Sequence, residues 1–205
     1  MGNNKDWTGN CKSTYITLGA SNHTEKERQN EDYYATDPIA IDGLKKVFDI
    51  PKGVWECSCG EGHLSKRLEE LGHTVVSSDL IDRGYGQGNV NFLECEKRPS
   101  EIDCILTNPP YAKAMEFVLH SLKLLDNGQY CIMFLKTTFL ESKKRYEKLF
   151  SKHPPKYIFQ FVSRVLCAKN AQFDVMIAGG GSAVSYAWFV WEKGYKGDTI
   201  IKWIN

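Results

Sequence analysis

"GVWECSCGEGHLSKRLEELGHTVVSSD", residues 53–79, decides the fold. "GVWECS" reads as a strand and "GHLSKRLEELG" as a helix that stops at Gly72. "TVVSSD" is a second strand, ending at Asp79. Between the first strand and the helix lie Gly60 and Gly62, which let a backbone turn sharply and approach a ligand closely. Glu56 ends the first strand, pointing toward that turn.

The same alternation continues outward. Upstream, "TDPIAIDGLKKVF" (36–48) predicts a helix. Asp37 can cap it, Pro38 suits its first position, and Ile39, Leu44, Val47 and Phe48 recur at helical spacing. Downstream, "VNFLE" (90–94) reads as a short strand and "IDCILTN" (102–108) as a full one. "AMEFVLHSLKLL" (114–125) is a helix and "QYCIMFL" (129–135) a strand. "SKKRYEKLFSK" (142–152) is a helix with Tyr146, Leu149 and Phe150 toward the sheet. "KYIFQFV" (156–162) and "SYAWFVWEK" (185–193) are the closing strands. This alternation predicts an α/β fold, a Rossmann-like, mainly parallel seven-stranded sheet with helices on both faces. The last two strands have no helical pattern between them, so one is expected to run antiparallel near the C-terminus. The organisation expected is a polar arm over residues 1–31 and a single domain over 32–205. "AGGGSA" (178–183) is expected to be mobile.

Composition narrows the classes. The 205 residues are 42% hydrophobic and 25% charged, as in ordinary soluble domains. No apolar run reaches the roughly 20 residues of a membrane span. The first residues lack a secretory apolar core, so a cytoplasmic protein is expected. Gly2 is followed by Asp at position 6, against myristoylation. The seven cysteines are scattered, several of them in apolar runs, as expected of small buried hydrophobes in a reducing compartment. Cys57 and Cys59 lack the spacing and second pair of a zinc site, so no metal is expected. Net charge is only +1, but residues 136–169 hold nine cations against Glu141 and Glu147. That excess of seven predicts one basic face on an otherwise acidic chain.

Ligands of open α/β sheets bind at the carboxyl ends of the strands. The pattern acid, three residues, Gly60, one residue, Gly62 differs from a dinucleotide fingerprint, which has no acid there and a third glycine. An acid suits a ligand with a positive group. Asp79 can accept hydrogen bonds from both hydroxyls of a ribose. On these residues the chain resembles class I methyltransferases that use S-adenosylmethionine. The resemblance implies that Glu56, Cys57, Gly60 and Gly62 surround the methionine part and that Asp79 and Leu80 hold the ribose. Phe92 or Leu93 would lie against the adenine. "DYYATDP" (32–38) resembles the segment that closes over the cofactor's methionine end in amino-methyltransferases, which implicates Tyr34 and Thr36.

"NPPY", residues 108–111, follows the "DCIL" strand. An adenine N6 lone pair is delocalised into its ring and must be freed by acceptors on the amine hydrogens. Asn108 offers a side-chain carbonyl. Pro109 offers a backbone carbonyl with no competing N–H. Pro109 and Pro110 restrict the residues before them to extended conformations. Tyr111 offers a flat face on which a base can stack. The motif resembles that of amino-methyltransferases acting on planar nitrogens: DNA adenine-N6 enzymes, RNA guanine-N2 and adenine-N6 enzymes, and protein glutamine-N5 enzymes. Asn108 is also expected to touch the cofactor. No Pro-Cys pair exists, which excludes cytosine-C5 chemistry through a cysteine nucleophile.

The glutamine enzymes usually carry a helical substrate domain ahead of the fold, which a polar arm cannot make. The whole pattern is similar to the small DNA adenine methyltransferases of phages and prophages. DNA is therefore the expected partner, with Lys143, Lys144, Arg145, Arg164 and Lys169 on its phosphates and the 164–172 loop nearest a flipped base. RNA, a protein glutamine and a non-catalytic scaffold remain alternatives.

Overall fold

A computed structural model describes residues 34–169, 171, 173–178 and 184–205. The expected polar arm and most of "AGGGSA" lie outside the described residues. In chain order the elements are β1 (Tyr34–Thr36), α1 (Ile39–Lys45), β2 (Gly53–Glu56), α2 (His63–Glu70), β3 (Thr74–Ser77), β4 (Cys104–Thr107), α3 (Ala114–Leu124) and β5 (Tyr130–Lys136). After them come α4 (Lys143–Arg145), β6 (Tyr157–Phe161), β7 (Cys167–Lys169), α5 (Phe173–Ala178), β8 (Tyr186–Glu192) and β9 (Ile200–Ile204).

Seven strands form one sheet in the order β3-β2-β4-β5-β8-β6-β9, while β1 and β7 pair separately. Strands β3, β2, β4 and β5 are mutually parallel, and β6 is parallel to β9. β8 runs antiparallel between β5 and β6. The expected α/β fold, with its single reversed strand near the C-terminus, is what the chain adopts. Alternate residues of each strand feed opposite cores. Trp55, Ile105, Met133 and Phe189 pack with Phe117, Val118 and Leu122 of α3. Val54, Leu106, Phe134 and Trp188 pack with Ile41 and Leu44 of α1 and Leu64 and Leu68 of α2. A side chain so buried contributes about 1.5–3 kcal/mol. The indole N–H of Trp188 is satisfied by the Ala40 carbonyl at 2.8 Å, so the large ring is buried without an orphaned donor.

Four sequence expectations change. "VNFLE" is a 3-10 turn over Phe92–Glu94, because the Asn91 side chain caps it by accepting from Leu93 N at 3.2 Å while Phe92 drops into the core. The seventh strand is instead β9, beyond the apparent last strand. In α1 the buried face is Ala40, Ile41 and Leu44, with Ile39 and Val47 exposed. The "SKKRYEKLFSK" segment makes one α turn and then widens into a π turn over Tyr146–Phe150, in which Ser151 N reaches the Tyr146 carbonyl at 2.9 Å. That wider turn rotates the face, so Leu149 is buried while Tyr146 is 63% exposed. Among the described residues no helix is long and apolar enough to cross a membrane.

Candidate active site

The carboxyl ends of β2, β3, β4 and β5 deliver Glu56, Asp79, Asn108 and Lys136 to one end of the sheet. After Glu56 the chain needs left-handed conformations at Gly60 (φ 55°) and Gly62 (φ 80°) to reach α2. A Cβ on Gly62 would lie 2.3 Å from the Tyr85 ring, so only glycine fits. The Gly60 N–H donates to Asp79 Oδ2 at 2.8 Å, and the Ile81 N–H donates to Asp79 Oδ1 at 2.9 Å. Each oxygen keeps a lone pair for a ligand hydroxyl. Glu56 is 2% exposed and accepts a hydrogen bond from the Ser65 hydroxyl. Burial pushes its carboxyl up to about 8; the Ser65 bonds oppose the rise and the nearby Asp79 charge adds to it.

Asn108 is held from behind. Its Nδ2 donates to the Tyr34 carbonyl at 3.2 Å and to Thr36 Oγ1 at 2.9 Å, and lies 3.4 Å from Cys167 Sγ. A backbone carbonyl only accepts, so the nitrogen must face Tyr34, and this fixes which way the amide points. Asn108 Oδ1 is buried and has no hydrogen-bond partner among the described residues. Buried acceptors are rarely left unmatched, and doing so costs about 1–3 kcal/mol.

Tyr111 turns its hydroxyl inward, 3.2 Å from Cys167 Sγ. Burial holds that hydroxyl well above its ordinary range, with the Cys167 and Tyr186 groups adding to the rise. Its ring lies 6.1 Å from that of Tyr34 and 6.1 Å from that of Tyr186. Lys136 Nζ sits 4.7 Å over one face of it. The flat face expected at Tyr111 is thus covered on one side by a cation.

The residues expected at the cofactor, apart from the two glycines, line one cavity of about 1000 Å³ together with Asn108, Pro109, Pro110 and Tyr111. Leu80, 61% exposed, stands at its edge. Phe92 packs at 5.2 Å edge-on against Trp55 in the core beneath. Tyr34 and Thr36 serve Asn108 directly, through the pairing of β1 with β7 that sets Thr36 opposite Cys167. Cys167, Tyr186 and Lys136 were not singled out from sequence. A cysteine in "VLCA" looks like any buried hydrophobe, and the Lys136–Tyr186 register shows only once β8 is known to run backward.

The basic segment does not form one face. β6 starts at the far end of the sheet from the site, so the chain descends between Lys143 and Lys156. Lys156 is paired there with Glu192 at 2.5 Å, and Lys196 contacts the Lys152 carbonyl at 3.4 Å. Lys143 and Lys144 are exposed near the site end. Arg145 spends its guanidinium on the carbonyls of Phe139 (2.6 Å), Glu141 (2.8 Å) and Thr138 (3.2 Å). Arg164 is exposed where the chain leaves β6 at the site end, and Lys169 ends β7. Among the described residues no group of three His, Cys, Asp or Glu side chains could hold a metal ion.

The fold is similar to several solved structures. One is assigned as a class I S-adenosylmethionine-dependent methyltransferase from Listeria monocytogenes (TM-score 0.55, 13% identity, 94% of this chain and 71% of that one). A second is assigned as a hemolysin from Lactococcus lactis (TM-score 0.58, 10% identity, 84% of this chain and 95% of that one). A third is assigned as the modification subunit of a type I restriction enzyme from Vibrio vulnificus YJ016 (TM-score 0.56, 13% identity). The match covers 94% of this chain but only 49% of that subunit, about half its length. No protein-family model matches the chain, and no curated protein does. Identities this low show a shared fold, which unrelated activities can inhabit.

Proposed function

We propose that the chain methylates the exocyclic N6 amine of adenine in DNA, with S-adenosylmethionine as the donor. The observation that carries this reading is Asn108 Oδ1: an acceptor buried without a partner, on an amide whose nitrogen is already committed to Tyr34 and Thr36. Such an acceptor is preorganised for an incoming N–H. The Pro109 carbonyl is the second acceptor, and two acceptors match the two hydrogens of an exocyclic amine. Together they draw off charge as the nitrogen becomes tetrahedral. The alkylated nitrogen becomes acidic and loses its proton readily, so no strong base is required.

The left-handed glycine turn and the lone pairs left on Asp79 fit the donor's methionine and ribose parts. When bound, the cofactor supplies an electrophilic methyl on a positive sulfur. Glu56 is buried close behind the glycine turn and keeps its proton up to about pH 8, and a positive group arriving on that side of the cavity would favour its ionised form. The likeness to a restriction modification subunit supports DNA over other substrates. A base in a duplex must be flipped to reach the corner, at a cost of a few kcal/mol.

The test is incubation of the full chain with labelled S-adenosylmethionine and, separately, DNA, RNA and protein, followed by mass spectrometry of the products. N6-methyladenine in DNA is the expected product. Label only in protein, only in RNA, or in none of the three would refute the reading.

A further inference from the structure

The geometry points to a phosphate subsite beside Tyr111, in a concavity that does not include the corner acceptors, which takes the backbone phosphate of the nucleotide being methylated. It rests on the reading of the main cavity as an adenine methylation site. A separate concavity of about 120 Å³ opens there, lined by Tyr111, Lys136, Thr138, Phe139 and Arg145. Its size suits a phosphate group rather than a base.

Its charge is one-sided. Lys136 and Arg145 both line it, and among the described residues no carboxylate does. No carboxylate among the described residues forms an ion pair with Lys136, whose ammonium rests on the Tyr111 ring. The Arg145 guanidinium is fixed over Phe139, 4.8 Å from the ring centre, by the three carbonyls it caps. Two cations held near one concavity repel each other until an anion arrives, and low-dielectric walls focus their field. Thr138, an exposed residue, adds a hydroxyl that can donate.

Position ties this subsite to the main cavity. Tyr111 lines both cavities, so the two meet at this residue. A nucleotide has the same layout, with a flat base on one side of its sugar and a phosphate on the other. A glutamine side chain has no such group, so this subsite would also separate nucleic acid from protein as substrate.

The experiment uses the full chain loaded with S-adenosylhomocysteine, so that nothing turns over. Calorimetry compares deoxyadenosine with its 3′- and 5′-monophosphates. One monophosphate is expected to bind at least about fivefold tighter than the nucleoside. Lys136→Gln should abolish that advantage, while Lys136→Arg should keep most of it and shows that the site tolerates substitution. In parallel, with DNA as substrate, Lys136→Gln should flatten the slope of log KM against log salt by about 0.9 on duplex or about 0.7 on single strands. Lys152→Gln, at the far end of the sheet, should leave it unchanged. Equal binding of nucleoside and both nucleotides overturns the subsite. So does an advantage that survives Lys136→Gln, or a fall in kcat with no change in salt slope, which would make Lys136 only a prop for Tyr111. A protein that methylates DNA without the phosphate advantage keeps the proposed activity and loses the subsite. One that shows the Lys136-dependent advantage but methylates no DNA keeps the subsite and loses the activity.

Discussion

The two halves of the main cavity are built on opposite plans. In the glycine-turn half, each acidic group is satisfied by nearby chain: Asp79 by Ile81 two residues away and Gly60 nineteen away, Glu56 by Ser65 nine away. In the corner half, Asn108 leans on Thr36 and Tyr34, 72 and 74 residues away, and Tyr111 on Cys167, 56 away. The first half is a local loop motif with its acceptors in use. The second is assembled from distant strands and leaves one acceptor unmatched. Under the proposed function, the locally held half binds the donor through the lone pairs left on Asp79, and the unmatched half recognises the group that reacts.

The largest expected effect falls on the unmatched half. Asn108→Ala should cut kcat by about two orders of magnitude or more, as for loss of one preorganised polar group, with S-adenosylmethionine affinity within a few-fold. Near-normal single-turnover rates would erase the contrast. In the glycine-turn half, Asp79→Ala should weaken cofactor binding by about ten- to a hundredfold, matching the about 1.5–3 kcal/mol of a hydrogen bond to a charged group, while methyl transfer at saturating cofactor is largely kept. Calorimetry showing unchanged affinity would mean the ribose is held elsewhere.

Glu56 gives a stability signature. In the folded protein its carboxyl keeps a proton until about pH 8, whereas the unfolded chain loses it near 4.5. Between those values the folded state binds more protons, so this group makes stability fall as pH rises, by about 1.4 kcal/mol per unit at most. Urea unfolding from pH 5 to 8 should show the decline, and Glu56→Gln should flatten it. Parallel curves for the two proteins would show that the group titrates normally. The smallest effect concerns Cys167. Losing one hydrogen-bonding group worth about 0.5–1.5 kcal/mol, Cys167→Ala should lower kcat two- to tenfold without changing cofactor affinity, and Cys167→Ser should restore most of it. A variant that loses only thermal stability would make Cys167 a space-filler.

The same contrast explains what could be read from sequence. The glycine turn, Glu56, Asp79 and the "NPPY" corner were legible because each is a short run whose residues act on their neighbours. The alternation of elements placed the sheet and its reversed strand. Cys167 and Lys136 were not legible as neighbours of the corner, because Cys167 is brought there by β1 pairing with β7 and Lys136 by β5 running past the end of its parallel neighbour β4. "VNFLE" misled because a buried Phe92 beside a capping Asn91 resembles a short strand in composition. "TIIKWIN" escaped notice as a strand because Ile200, Ile201 and Trp203 stay exposed at the sheet's edge and show no alternation. The charge excess was real in number but not in place, since the chain carries it from one end of the sheet to the other.

Strand β8 has a consequence for how the molecule comes into being. Among the described residues it is the sheet partner of β5 on that side and the bridge from β5 to the β6–β9 pair. Residues 186–192 are therefore needed before the two parts of the sheet can join. On a ribosome, β2 to β5 and their helices emerge long before that strand does. Pairings between residues so far apart close slowly, because chain entropy is lost before the contacts reward it. Tyr186, the first residue of β8, is also the ring beside Tyr111. The wall behind the corner is thus completed by the same late event that zips the sheet shut, and a nascent chain lacking β8 could hold the glycine turn without yet having a finished corner.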